Sequence, residues 1–363
     1  MPGSEAHAST RETLFGTAPD GSPAHLFTVT LGAVQASFTD FGARLVSWTT
    51  PDREGRVANI VMGFASVEGY AQPGNYHGAI VGRFANRLAG GRFALNGRTC
   101  QVPVNNGPNA LHGGPGGFST RRWQGRTIES GVEFTLVSPD GDMGFPGTLT
   151  ATVRYTLVST DEGVALNLDL SASTEAATVI NLTNHAYFNL LGVQNALVGA
   201  QDAAAIATIL GHRLMIPAER YTPTDSTQIP TGVLAEVAGT AFDFRTATPI
   251  GARIDDADPQ LAQAGGYDHN FVLGEPGVMK VGAILDEPES GRRLSIETSE
   301  PGIQFYSGNF LPRSDAPFLY RTGLCLETQH FPDAPNHPGF PSTVLHPGEK
   351  FQSTTIFTCS VQP

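Results

Sequence analysis

The sequence has too few cysteines for a disulfide framework and too little charge for a nucleic-acid binder. Cys100, Cys325 and Cys359 are odd in number and far apart, which suits neither a set of bridges nor a zinc site. Only 15% of residues are charged, and 22 Lys and Arg against 34 Asp and Glu leave a net charge of −12. With no basic cluster to neutralise phosphates, no nucleic-acid partner is expected. No apolar run approaches the length of a bilayer span, so no membrane partner is expected either. Residues 1–12 are small and polar, without the apolar stretch of a signal peptide, and a cytoplasmic location is expected. Repeats, low-complexity tracts and charge runs are also missing, and nothing marks a domain boundary. Residues 1–12 read as a flexible N-terminal segment and 13–363 as a single domain.

What the chain does have is turns and alternation. Its 42 glycines and 26 prolines suggest many turns between short elements. Apolar residues recur at period two: Phe27, Val29 and Leu31; Val132, Phe134 and Leu136; Leu149, Ala151, Val153, Tyr155 and Leu157; Val164, Leu166, Leu168 and Leu170. Strands of this kind make antiparallel sheets packed face to face, so the fold class is all-β. Asn96-Gly97, between Arg92–Leu95 and Thr99–Val102, is a two-residue hairpin signal. Helix is scarce: Thr248-Pro249 reads as the start of a short helix, and residues 201–209 have helical propensity.

Two stretches carry chemistry. In Gly323-Leu324-Cys325-Leu326-Glu327-Thr328-Gln329 alternation puts Cys325, Glu327 and Gln329 on one face, with Glu327 the single carboxylate of the run. Partial burial of such a group raises its pKa and makes it a proton acceptor near neutral pH; a structural ion pair has the same pattern. In Val179–Leu190, read as a strand, an apolar row backs Asn181, Thr183, His185, Tyr187 and Asn189. A polar row without Lys, Glu or Arg fits a cleft better than an outer surface, and His185, which titrates near neutrality, is the candidate acid.

The strings NLTNHAYFNL (181–190), GRFANRLAGGRFALNG (82–97), NNGPNALHGG (105–114), GGYDHNFVL (265–273), IQFYSGNF (303–310) and GLCLETQHFPDAPNHPGFPSTVLHPGE (323–349) together resemble the aldose 1-epimerases, or galactose mutarotases. The resemblance covers nearly the whole chain from about Phe15. It implies a galactose mutarotase-like β-supersandwich of large antiparallel sheets with few short helices, and an open cleft across one sheet. The activity it implies is interconversion of the α and β anomers of free hexoses such as D-galactose and D-glucose, without cofactor or metal. A cyclic hemiacetal opens when its anomeric hydroxyl loses a proton and its ring oxygen gains one, which requires one base and one acid. Glu327 as general base and His185 as general acid supply that pair. For substrate binding the resemblance adds His112, Asp268 and Gln304, with His112 also placed near the ring oxygen. The Asn86-Arg87 turn offers a guanidinium fork for sugar hydroxyls, although an arginine can also simply close a turn, and Tyr187 shares a face with His185. The chain departs from the family between about Val193 and Thr208, where it is longer and less polar. A monosaccharide is the expected partner, and monomer and dimer both stay open.

Other readings carry less. His330, His337 and His346 lie in a proline-rich segment whose spacing suits no metal. Glu327 with Asp268 can be cast as a glycosidase pair, which leaves His185 without a task. A hexose-6-phosphate epimerase of the same superfamily needs clustered arginines, and Arg121-Arg122 is the one basic pair near a motif. A non-catalytic sugar-binding protein is the alternative from a different class, and it predicts loss of the acid or the base, both of which are present.

Overall fold

Side chains that alternate along the sequence alternate across sheets in the computed structural model, which describes residues 8–72, 74–193 and 207–362. Strand Leu149–Ser159 buries Leu149, Ala151, Val153, Tyr155 and Leu157 and leaves the residues between them half-buried or exposed. It belongs to a nine-stranded antiparallel sheet in the order Gln124–Ile128, Gly131–Ser138, Leu149–Ser159, Val164–Thr174, Phe351–Val361, Arg292–Thr298, Lys280–Asp286, Arg213–Met215, Thr248–Pro249. A six-stranded sheet runs Ser9–Thr17, Pro23–Leu31, Val34–Thr39, Arg44–Pro51, Val57–Val61, Phe188–Val193. Their apolar faces share one core. Phe27 meets Phe134 edge-on at 5.5 Å and Phe38 stacks on Tyr155 at 4.4 Å. Burying side chains of this size contributes about 1.5–3 kcal/mol each, and the result is the all-β sandwich that the alternation predicts.

A five-stranded antiparallel sheet, Ala235–Glu236, Arg220–Tyr221, Asp268–Val272, Gly302–Tyr306, Cys325–Gln329, carries the polar chemistry. Its back face sends Phe271, Ile303, Phe305 and Leu326 into the common core.

Turn chemistry behaves as the sequence indicates at Asn96-Gly97. Both residues have positive φ, 50° and 75°, and join Arg92–Leu95 to Arg98–Gln101, as a primed hairpin turn requires. Elsewhere the structure differs from expectation. The sheet takes in residues 9–12, because Ser9–Thr17 pairs along Pro23–Leu31. Thr248-Pro249 pairs with Arg213–Met215, and only one 3₁₀ turn, Ile250–Ala252, follows it. The only α-helix among the described residues is Pro259–Ala264: Asp258 caps it by accepting from the Gln260 N–H, Pro259 occupies the first turn, and Gly265 closes it at φ 66°. These are ordinary start and stop signals, present in the sequence as Asp258-Pro259 and Gly265. The helical reading of 201–209 falls largely outside the described residues.

Val179–Leu190 is not one strand. It splits into Thr178–Val179, Thr183–Asn184 and the start of Phe188–Val193, each pairing with a different neighbour. Asparagine side chains cause the breaks by capturing main-chain groups. Asn181 donates to the carbonyls of Ala85 and His330 and accepts from the His330 N–H. Asn184 donates to Gly78 O and accepts from the Ala186 N–H, and Asn189 donates to Ala207 O and Thr322 O. Side-chain amides that satisfy the backbone in this way compete with ladder hydrogen bonds.

Candidate active site

Strand parity and register build the floor of the site. Asn270, Gln304 and Glu327 lie directly opposite one another across three strands, and Asp268, Tyr306 and Cys325 form the adjacent row. Directly opposed residues share a face, so these six side chains point away from the core that the large sheets share, and Tyr306 and Cys325 pack in a second apolar cluster with Met62 and Tyr187. Above them is a cleft of about 780 Å³, lined by Asn86, Arg87, His112, His185, Tyr187, Asp268 and Glu327 among others. Gln304 lies in the floor, buried, and donates to Asp268 Oδ1 at 2.7 Å. All eight residues expected from the sequence therefore converge on one place.

The opposite wall is held by local backbone geometry. Asn86 and His112 have φ of 63° and 52°, in the left-handed region that costs a non-glycine residue about 1 kcal/mol, and they lock to each other. The Asn86 N–H donates to His112 Nδ1 at 3.1 Å, and the His112 N–H donates to Asn86 O at 3.0 Å. A neutral imidazole has one N–H, so this partner assigns the His112 proton to Nε2. The glycines beside His112 serve backbone packing: a Cβ on Gly113, at φ 85°, would meet Gly82 O at 2.0 Å. Arg87 donates to Asn106 at 3.1 Å, to Asp268 at 3.5 Å, and to Gln228. Its guanidinium lies in the cleft lining, held by side chains from three other segments.

His185 sits at the centre. Its main chain is pinned on both sides, donating to Ala79 O and accepting from the Gly78 N–H. Its ring is stacked between Tyr76 at 5.7 Å and Tyr187 at 5.1 Å. Tyr187 in turn stacks on His77 at 4.3 Å, so Tyr187 supports His185 as well as lining the cleft. Tyr76 and His77 hold their places because the buried Arg44 donates to the carbonyls of Asn75 and His77.

His185 Nε2 lies 3.8 Å from Glu327 Oε1, and both side chains are buried. Burial, reinforced by Asp268 and opposed by Arg87, pushes the Glu327 carboxyl well above the ordinary carboxylate range. Burial pushes His185 down to about 4, a hydrogen bond to its own backbone opposing and Arg44 assisting. That descent from 6.5 corresponds to about 3 kcal/mol against the imidazolium. An ionised Glu327 at 3.8 Å returns about 4 kcal/mol at an effective dielectric of about 20. That attraction offsets the cost at His185, while the raised Glu327 carboxyl adds its own cost to charge separation, so one proton serves the pair and rests on Glu327 beside a neutral imidazole. His112, held well below its ordinary value by burial, then His185 and Arg87, stays neutral, with its one ring N–H at Nε2.

His112, His185 and Glu327 also place donor atoms within 4.8 Å of one another, the spacing of a metal site. The set fits a metal poorly. A ligating histidine ordinarily donates its second N–H outward, whereas His112 Nδ1 accepts a main-chain N–H and a metal at Nε2 would have to displace the last ring proton. His330 and His337 pair separately with Glu300 and Asp333. Arg121 and Arg122 pair with Asp142 and Asp40 and do not line the cleft. Asp268 rises from the same sheet face as Glu327 and is engaged by Gln304 and Arg87, an arrangement unlike two carboxylates flanking a bond.

Sequence reasoning missed Tyr76, His77, Asn106, Gln228 and Phe310, which line the cleft or hold Arg87. They come from loops without periodicity. Cys325 is legible in the sequence as a residue on the Glu327 face.

Comparison with known proteins places this geometry in context. The family model described as Aldose 1-epimerase matches residues 25–358. A galactose mutarotase of Rattus norvegicus is 41% identical over 359 residues, covering 97% of this chain and 99% of its own. An aldose 1-epimerase of Escherichia coli K12 is 40% identical over 349 residues, covering 94% and 96%. The crystal structure of a galactose 1-epimerase from Lactobacillus acidophilus NCFM superposes with a TM-score of 0.82 at 28% identity, covering 98% of this chain and 99% of that one.

Proposed function

Because the chain belongs to the aldose 1-epimerase family, we propose that it interconverts the anomers of free hexoses, D-galactose and D-glucose first among them. The observation that carries this reading is the buried pair of His185 Nε2 and Glu327 Oε1, 3.8 Å apart at the floor of the cleft. Glu327 as carboxylate takes the proton of the anomeric hydroxyl, and His185 as imidazolium gives its Nε2 proton to the ring oxygen. The bond from C1 to the ring oxygen breaks and C1 becomes a carbonyl carbon. This leaves carboxylic acid and neutral imidazole, the other one-proton state of the pair. Rotation about the bond from C1 to C2 turns the opposite carbonyl face to the hydroxyl, and the same two transfers run backwards. No proton is gained or lost over the cycle.

The other residues grip and polarise. His112 Nε2–H donates to the ring-oxygen region, Asp268 accepts from sugar hydroxyls, and Arg87, Asn86 and Gln304 fix their directions. Names carried by relatives support galactose as a substrate.

The test is polarimetry of freshly dissolved α-D-galactose and α-D-glucose with wild type, Glu327→Ala and His185→Ala against buffer. Acceleration by wild type that vanishes in both variants is expected. A wild type that tracks the buffer rate while calorimetry still detects hexose binding overturns the reading and leaves a sugar-binding protein.

A further inference from the structure

Each ring nitrogen of His185 faces a side chain of one strand. Nε2 looks at Glu327, and Nδ1 lies 3.4 Å from Cys325 Sγ. Cys325 and Glu327 are two residues apart on Cys325–Gln329 and share its cleft face, about 6.8 Å from each other along the strand. They bracket the imidazole end to end, while the stacked rings of Tyr76 and Tyr187 prevent it from swinging. Glu327 Oε2 is buried without a partner.

The inference rests on the acid role proposed for His185. A ring that gives and regains its proton at Nε2 must keep a proton on Nδ1 throughout, because the neutral imidazole carries only one N–H. Nδ1 therefore needs an acceptor, and two lie within reach: the main-chain carbonyl of His185 itself and Cys325 Sγ. We propose that Cys325 is a positioning residue whose sulfur accepts from His185 Nδ1–H and so keeps Nε2 as the nitrogen that exchanges protons. His112 presents the opposite case, with its Nδ1 accepting the Asn86 N–H. Two neighbouring histidines, 5.2 Å apart between ring centroids, are thus set in opposite tautomers by what touches Nδ1.

The choice of cysteine has a physical reason. Burial holds the thiol well above its ordinary range, with Glu327 and Asp268 acting in the same direction, so the sulfur stays neutral and is a weak acceptor. A carboxylate at the same place would fix an imidazolium permanently and make His185 a poor proton donor.

The test is ¹⁵N NMR of histidine-labelled, sugar-free, full-length protein at neutral pH, with His185 assigned by the signals lost in His185→Asn. Wild type is expected to show Nδ1 as N–H and Nε2 as a bare nitrogen. Cys325→Ala should mix the two tautomers and lower kcat about five-fold at unchanged KM, the effect of one ordinary hydrogen bond. Cys325→Ser, whose hydroxyl oxygen also accepts, should recover the wild-type pattern and most of the rate. A wild-type spectrum with the His185 proton on Nε2 overturns the proposal, as does a folded Cys325→Ala with an unmixed wild-type pattern. Where the alanine variant does not fold, Cys325→Val, which keeps the bulk and cannot accept, is read in its place, and a wild-type pattern there assigns the proton to the main-chain carbonyl of His185 and overturns the proposal. Absence of sugar turnover by wild type would remove the mutarotase reading and leave the tautomer assignment standing.

Discussion

Glu327→Gln preserves the shape of the side chain and removes its charge, and the loss should exceed that of a base alone. In wild type the carboxylate 3.8 Å from His185 Nε2 supports the imidazolium by about 4 kcal/mol. Without it, burial leaves His185 at about 4, so at pH 7 roughly one ring in a thousand carries the second proton. Loss of the base costs about 10² to 10⁴ by itself, and loss of the acid's proton multiplies it. We expect kcat to fall by at least about 10⁴, measured as the initial change in optical rotation of α-D-galactose with the buffer rate subtracted. Because the acid is already disabled, Glu327→Gln combined with His185→Asn should be no slower than Glu327→Gln alone, the non-additivity of groups that act as a unit. A double variant whose loss equals the product of the two single losses would refute the shared-proton reasoning. Stability supplies a second readout. The Glu327 carboxyl is higher in the folded protein than in the unfolded chain, so its stabilising contribution is complete below the unfolded value and is lost as pH rises through the folded one. Glutamine removes that dependence and should raise Tm at pH 7, by about 2 °C for each kcal/mol recovered.

Two further outcomes follow from the same geometry. Asp268→Asn takes the charge from the partner of Arg87 and Gln304, and KM should rise about 10-fold or more while kcat changes less, since hydrogen bonds to charged groups contribute about 1.5–3 kcal/mol; a variant with normal KM contradicts a grip role for this carboxylate. Gly113→Ala forces a Cβ to within 2.0 Å of Gly82 O at a φ of 85°, which should cost upwards of about 1–2 kcal/mol in urea denaturation and reduce activity by displacing His112. Unchanged stability would show that the loop can shift away.

Alternation in the sequence determined the all-β class, the buried rows of strands such as Leu149–Ser159, and the parity that puts Glu327 and Gln304 on polar faces, because the two-residue period of a strand is local. Asn96-Gly97 determined its hairpin for the same reason. The motifs marked His185, His112 and Asp268 as members of one set, but their arrangement depended on which strands became neighbours. Register alone aligned Asn270, Gln304 and Glu327, and asparagine side chains broke the expected strand around His185. Opposite displacements of Glu327 and His185 from their ordinary pKa values also belong to the tertiary structure. Desolvation and the 3.8 Å separation arise only when distant segments pack, and no local pattern encodes them.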